Sequence, residues 1–123
     1  MHLIFGGAYQ GKLDCAKANH TYETICDCSD GREPDFDADI ICGIEGFVMQ
    51  CAKTGTEARK YFEEREELWK NKVFVITDTS QGVVPIDKDV RAFREMNGRL
   101  MLYLADKAET VTRVFCGIGK RLK

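Results

Sequence analysis

Apolar residues fall into two patterns along this chain: short unbroken runs closed by glycine or polar residues, and longer segments in which they recur every three or four positions. His2 to Phe5 is a short apolar run that stops at Gly6 and Gly7, the pattern of a buried strand. Lys12 to Asn19 suits a short helix. Thr21 to Cys28, with Tyr22, Thr24, Ile25 and Cys26, predicts a second strand, and Ile40, Ile41, Cys42 and Ile44 a third, entered from Asp39. Between them, the polar stretch Ser29 to Asp37 is punctuated by glycine and proline and reads as a surface loop. Gly55 to Lys70 carries the clearest helical stripe, Ala58, Tyr61, Phe62, Arg65 and Trp69, with Thr56 as its N-cap. Glu63, Glu64, Glu66 and Glu67 lie largely off that stripe and form a solvated face. Val73 to Ile76 is a β-branched and aromatic run, hence a strand. Asp78 to Asp87 is a loop containing Gly82 and Pro85. Asp87 to Asp106 is a second long helix, with Val90, Phe93, Met96, Leu100 and Leu104 in register. Val111 to Phe115 is a last strand, followed by a hairpin through Gly117 and Gly119. Strands alternating with helices pack as an α/β fold with a mainly parallel sheet flanked by helices.

Length adds that residues 1–123 form a single domain. The 18 basic and 20 acidic side chains leave a net charge of -2, which argues against duplex nucleic acid as a partner. The exception is local: Arg113, Lys120, Arg121 and Lys123 make the C-terminal stretch positive. No apolar run approaches a membrane span, and the first residues lack the pattern of a signal peptide. The expectation is a cytoplasmic protein without a membrane partner, its six cysteines held as thiols. Cys15, Cys42, Cys51 and Cys116 read as core thiols. Cys26 and Cys28, one residue apart on a strand, share a face; the spacing is not that of a zinc site on its own, and the pair reads as ordinary small buried residues, since a metal there needs partners such as His20 or Cys42.

Candidate chemistry begins at Phe5-Gly6-Gly7-Ala8-Tyr9-Gln10-Gly11-Lys12-Leu13, which follows a strand and opens a helix. Gly6, Gly11 and Lys12 satisfy the phosphate-loop spacing G-x-x-x-x-G-K. Glycines let several backbone N–H groups converge on a phosphate, the helix N-terminus adds positive potential, and the lysine reaches the outer phosphates. The hydroxyl residue that coordinates magnesium in such loops is replaced by Leu13, and Asp14 points around the helix from that position. Glu45, after the third strand, is either a water-mediated magnesium ligand or an exposed glutamate opening the next helix. Asp78 and Ser80 follow a parallel strand, where open α/β sheets bind ligands.

The loop motif and the second half of the chain together resemble the bifunctional adenosylcobinamide kinase/guanylyltransferase family of cobalamin biosynthesis. The similarity is carried by Gly6-Gly7-Ala8-x-x-Gly11-Lys12, by Val75 to Pro85, by Arg91-Ala92-Phe93-Arg94 with Gly98-Arg99-Leu100, and by the closing strand that ends on Gly117-Ile118. It covers residues 1–17 and 73–123. The resemblance implies a phosphate-loop NTPase-like α/β fold and homo-oligomeric assembly. It also implies GTP or ATP with magnesium as cofactor and a corrinoid acceptor. Gly6, Gly7, Ala8, Gln10, Gly11 and Lys12 are then the phosphate-binding residues, and Arg99 lies near the nucleotide or a subunit contact. Lys12, with Glu45 or Asp78 supporting the metal, carries the chemistry.

Departures from the family pattern qualify that expectation. The family's Gly-Arg-Val-Asn-Gln becomes Gly98-Arg99-Leu100-Met101-Leu102, and its asparagine–glutamate pair is reduced to Asp78 beside Thr79. The segment that holds the family's histidine nucleophile is missing between Cys28 and Asp39, and neither His2 nor His20 matches it. The expected function is thus a nucleotide-binding relative with guanylyl transfer lost and kinase activity impaired. The alternatives are a non-catalytic phosphate-binding or assembly subunit, and a thiol-based metal-binding protein.

Overall fold

The computed structural model describes residues 1–79 and 87–123. A single six-stranded sheet organises them, in the order β2-β3-β4-β1-β5-β6. β1 (His2–Gly6), β2 (Ile25–Asp27), β3 (Ile40–Cys42), β4 (Val73–Thr77) and β5 (Thr110–Phe115) run parallel; β6 (Ile118–Arg121) returns antiparallel to β5 at the edge. The C-terminal hairpin foreseen from Gly117 and Gly119 is this β5–β6 pair. β1 lies in the middle, between β4 and β5, so the loop that follows it emerges at the centre of the rim.

Alternation along the strands divides the core between two faces. Leu3, Phe74, Ile76, Ile41 and Val111 point to the larger side. There they pack against Phe47, Val48 and Cys51 of α2 (Ile44–Thr54), Ala58 and Phe62 of α3 (Ala58–Glu63), and Trp69 of α4 (Glu66–Trp69). Phe93, Met96, Leu100 and Leu104 of α5 (Lys88–Lys107) complete that side. Ile4, Ile40, Cys42, Val73, Val75 and Val114 point to the other face, where Ala16 of α1 (Lys12–Asn19) covers them. Each fully buried large side chain contributes on the order of 2 kcal/mol, so the larger face dominates stability.

The helix expected over Gly55 to Lys70 is broken in two. Arg65 leaves helical geometry (φ -118°, ψ 18°), and Trp69 turns inward so that its Nε1–H donates to the Phe62 carbonyl at 2.9 Å. That bond adds to the one the Arg65 N–H makes to the same carbonyl at 3.1 Å, and it places the indole against Phe62 and Phe74. Arg65 lays its guanidinium 3.7 Å from the centroid of the Tyr61 ring. Thr56 is not the cap: the helix starts from Glu57, without a side-chain cap bond. The second strand is shorter than expected, and Ile44 belongs to α2 rather than to β3. Cys116 is a further correction. It sits exposed in the β5–β6 turn at φ 50°, not in the core, while Cys15 is half-buried and Cys42 and Cys51 are buried.

Candidate functional site

The parallel strands deliver their C-terminal ends to one rim, the place where open α/β sheets hold ligands. β1 arrives there at Gly6, whose position opposite Val114 leaves no room for a side chain: a Cβ would strike the Val114 carbonyl oxygen. The chain then curls through Gly7 to Gly11. Tyr9 (φ 58°) and Gly11 (φ 87°) are both left-handed, a geometry natural for glycine and costly for tyrosine. Two backbone N–H groups of the β5–β6 turn brace the loop. Gly117 donates to the Gln10 carbonyl at 2.9 Å, and Cys116 donates to the Gln10 side-chain Oε1 at 2.6 Å. From the other side the Asp78 N–H donates to the Gly6 carbonyl at 2.8 Å. α1 opens directly on Gly11 with no side-chain cap, so its first N–H groups face the loop unsatisfied, as anion sites at helix starts require.

Lys12 folds back across this curl, its Nζ donating to the Gly7 carbonyl at 2.7 Å. Burial lowers its pKa, and the Glu45 carboxylate partly offsets that by holding the cation. Beside it opens a cavity of about 280 Å³, lined by Gln10, Gly11, Lys12 and Leu13 on one side and by Asp27, Ser29, Glu45 and Thr77 on the other. Leu13 turns its side chain partly into the smaller core beneath α1, so it narrows the cavity without filling it.

Glu45 is held rather than free. Its Oε1 accepts the Thr77 N–H at 2.8 Å, and Asn97 of α5 donates to the Thr77 carbonyl at 3.0 Å and to Thr79 Oγ1 at 3.2 Å. The Asn97 side chain is buried, and its Oδ1 has no partner among the described residues. Asp27 ends β2, with its Oδ1 accepting the Ser29 N–H at 2.9 Å. Gly43 keeps β3 close to it, since a Cβ there would lie 2.6 Å from Asp27 Oδ1.

Among the residues expected at the site, Gln10, Gly11, Lys12 and Glu45 line this cavity together. Gly6 and Gly7 form the strand end and the curl behind it, while Ala8 is exposed at the outer side of the loop. Asp78 contributes its backbone to the loop and is absent from the cavity lining. Arg99 lies elsewhere: its guanidinium pairs with both carboxylate oxygens of Glu57, at 3.2 and 2.9 Å, tying α5 to the start of α3. Ser80 lies outside the described residues. Asp27, Ser29 and Asn97 were missed in the sequence. The first two carried a usable signal, polar residues closing a strand at the ligand rim. Asn97 carried one of a subtler kind. The family's polar position falls on Met101, and Asn97 stands one helical turn earlier on the same face, its Nδ2 3.9 Å from Met101 Sδ.

The family profile described as cobinamide kinase / cobinamide phosphate guanyltransferase matches residues 38–122, well over half of the chain. The chain belongs to that family. The fold is accordingly α/β and phosphate-loop NTPase-like, and the role is that of a nucleotide-binding cobinamide kinase/guanylyltransferase-like protein of cobalamin biosynthesis. A nucleotide and a corrinoid are the family's ligands. The match starts at Ala38, so it includes the stretch before β4 in which the residue-by-residue resemblance was weakest, and it leaves the Gly6–Lys12 loop to be judged on geometry. No curated protein matches the chain. Among the described residues no helix is long and apolar enough to cross a membrane.

Proposed function

We propose that this member of the family binds the polyphosphate of GTP or ATP in the Gly6–Lys12 loop without depending on magnesium, and that it does not transfer a guanylyl group. The observation that carries this reading is the placement of Lys12 Nζ within the glycine curl, 2.7 Å from the Gly7 carbonyl and on the wall of the rim cavity. A phosphate oxygen that displaces the carbonyl gains the ammonium and the uncapped N–H groups of α1 together. The volume, about 280 Å³, accommodates the phosphate end of a nucleotide and leaves base and acceptor to the outer surface.

The first turn of α1 lacks the usual magnesium ligand. Leu13 stands where a hydroxyl would bind the ion, and one oxygen of Glu45 is committed to Thr77. His2 and His20 stack on each other at 4.8 Å between ring centroids, His2 further bonded to Thr110 Oγ1 at 2.7 Å, so both rings are engaged away from the cavity. That arrangement supports the absence of a histidine-linked guanylyl intermediate.

Calorimetric titration with GTP and with ATP, each with and without magnesium, tests the proposal. Binding that is unchanged by the metal and lost in Lys12→Ala supports it; binding only with magnesium, or binding indifferent to Lys12, overturns it. A second reading, homo-oligomeric assembly, is favoured by Phe115, Ile118 and Leu122, all exposed on the β5–β6 edge. Sedimentation velocity on the natural chain and on Ile118→Lys decides that point.

A further inference from the structure

We propose that Tyr9 is the contact residue for the corrinoid acceptor, its ring packing against the macrocycle at the mouth of the rim cavity. This rests on the nucleotide reading above and adds to it the side chain that meets the second ligand. Tyr9 holds a backbone geometry that disfavours any residue with a Cβ, φ 58°. The neighbouring left-handed position is a glycine, Gly11, which adopts it without that cost. The Tyr9 side chain is fully exposed, so packing within the folded chain does not offset the strain.

Backbone strain of this kind survives where the surroundings enforce it, and it gathers at ligand clamps. Here the bonds from Gly117 and Cys116 to Gln10 fix the turn immediately after Tyr9. The turn presents the ring to solvent while the residue stays on the lining of the rim cavity, where among the described residues it is the one aromatic side chain. An exposed aromatic face beside a ligand cavity gains by covering apolar surface on whatever lodges there.

Position decides which ligand the ring meets. Lys12 carries its ammonium back to the Gly7 carbonyl, and the lysine of a phosphate loop holds the outer phosphates. The terminal phosphate therefore belongs at the Gly7 end of the curl, next to Tyr9. In phosphoryl transfer the attacking and leaving oxygens stand in line on opposite sides of the phosphorus. The acceptor thus comes to the terminal phosphate from the side away from the nucleotide. A cavity of about 280 Å³ holds phosphates and the acceptor's reacting oxygen, whereas a corrin macrocycle is too large to enter and rests at the mouth. Its broad face and the exposed phenol ring then cover one another.

Three substitutions separate the ring from the loop that carries it. Tyr9→Phe keeps the ring, Tyr9→Ala removes the ring and keeps the left-handed strain, and Tyr9→Gly removes both. Calorimetric titration of the full-length chain with cobinamide, with and without GTP, is expected to give Tyr9→Phe an affinity within about twofold of the natural chain and the other two a loss of about tenfold. GTP affinity should fall less than cobinamide affinity in every variant, and thermal unfolding of Tyr9→Gly should show a raised midpoint. Natural cobinamide affinity in Tyr9→Ala overturns the proposal, as does a natural chain that binds no cobinamide. Equal losses of GTP and cobinamide, or a lowered midpoint in Tyr9→Gly, also overturn it by making Tyr9 a support of the loop. GTP binding that is indifferent to Lys12→Ala removes the nucleotide reading instead, and the cobinamide titration without GTP still decides the role of Tyr9.

Discussion

Glu45 and Thr77 are joined across the rim of the sheet, the carboxylate Oε1 accepting the Thr77 N–H at 2.8 Å. Asn97 takes the carbonyl of the same residue, so α2 and α5 grip Thr77 through the two peptide groups on either side of it. β4 ends there, and the next residue hands its N–H to Gly6. The grip thus sets the floor on which the glycine loop rests. Removing it in Glu45→Ala is expected to cost about 2 kcal/mol, the value of a hydrogen bond to a charged partner plus an orphaned N–H. Glu45→Gln keeps an acceptor oxygen at the same reach and should lose less than half of that. Urea denaturation of the three proteins checks the order. Equal losses in both variants would show that charge, not the bond to Thr77, is what matters.

Lys12 gives the nucleotide reading a pH signature. Burial lowers its folded-state pKa below the ordinary 10.5. Between the two values the unfolded chain holds the proton and the native chain does not, so the stability contributed at this residue rises with pH across that interval and levels off above 10.5. Nucleotide affinity moves the opposite way, because the ammonium is the ligand; it should fall as pH climbs through the lowered pKa. The Glu45 carboxylate raises that pKa, so Glu45→Gln is expected to shift the fall to lower pH. Calorimetric titrations over an alkaline pH series measure both edges, and a flat affinity profile would remove Lys12 from the phosphate site.

Leu13 allows a gain-of-function test. In Leu13→Ser a hydroxyl returns to the first turn of α1, next to Lys12, where a phosphate loop holds its metal. The half-buried isobutyl group lost from the smaller core should cost about 1.5 kcal/mol. Nucleotide affinity should then increase on adding magnesium, which leaves the natural chain unaffected. If magnesium changes neither protein, the missing hydroxyl is not what limits metal use in this loop.

Where the sequence was informative, the determinants were local. Lys12 to Asn19 begins on a glycine turn that the loop motif already demanded, and Asp87 accepts the N–H groups of Asp89 at 2.8 Å and Val90 at 3.2 Å as an ordinary cap. β1, β4 and β5 are apolar runs with unambiguous ends. What escaped depends on contacts distant along the chain. The stripe through Arg65 continues in helical period, and the break shows only in the folded chain, where the Phe62 carbonyl accepts both the Arg65 N–H and the Trp69 indole N–H. Glu45 looked like a free carboxylate because its partner lies 32 residues away. Asn97 stood one turn before the family's polar position, but among apolar neighbours on α5 it broke the pattern without suggesting which carbonyl it would hold.

Two glycines inside helices carry opposite expectations, and the contrast tests the packing of β2 against α2. Gly46 lies in the first turn of α2 beneath the chain that leaves β2. A Cβ there would meet Ser29 Cα at 2.7 Å and strike the Cys28 carbonyl, both backbone and unable to swing aside. Gly46→Ala must push β2 and the Asp27–Ser29 corner outward, and it should destabilise by about 2 kcal/mol, within the usual cost of overpacking. Because Asp27 and Ser29 line the nucleotide cavity, affinity should fall with stability. Gly98 sits in the interior of α5, and an added methyl group there would meet nothing within 4 Å. Gly98→Ala should therefore stabilise by about 0.8 kcal/mol through helix propensity alone, leaving binding untouched. Thermal unfolding of the pair reads out both signs. A neutral Gly46→Ala would mean that the β2 corner is not pressed against α2, and the shape assigned to that side of the nucleotide cavity would have to be redrawn.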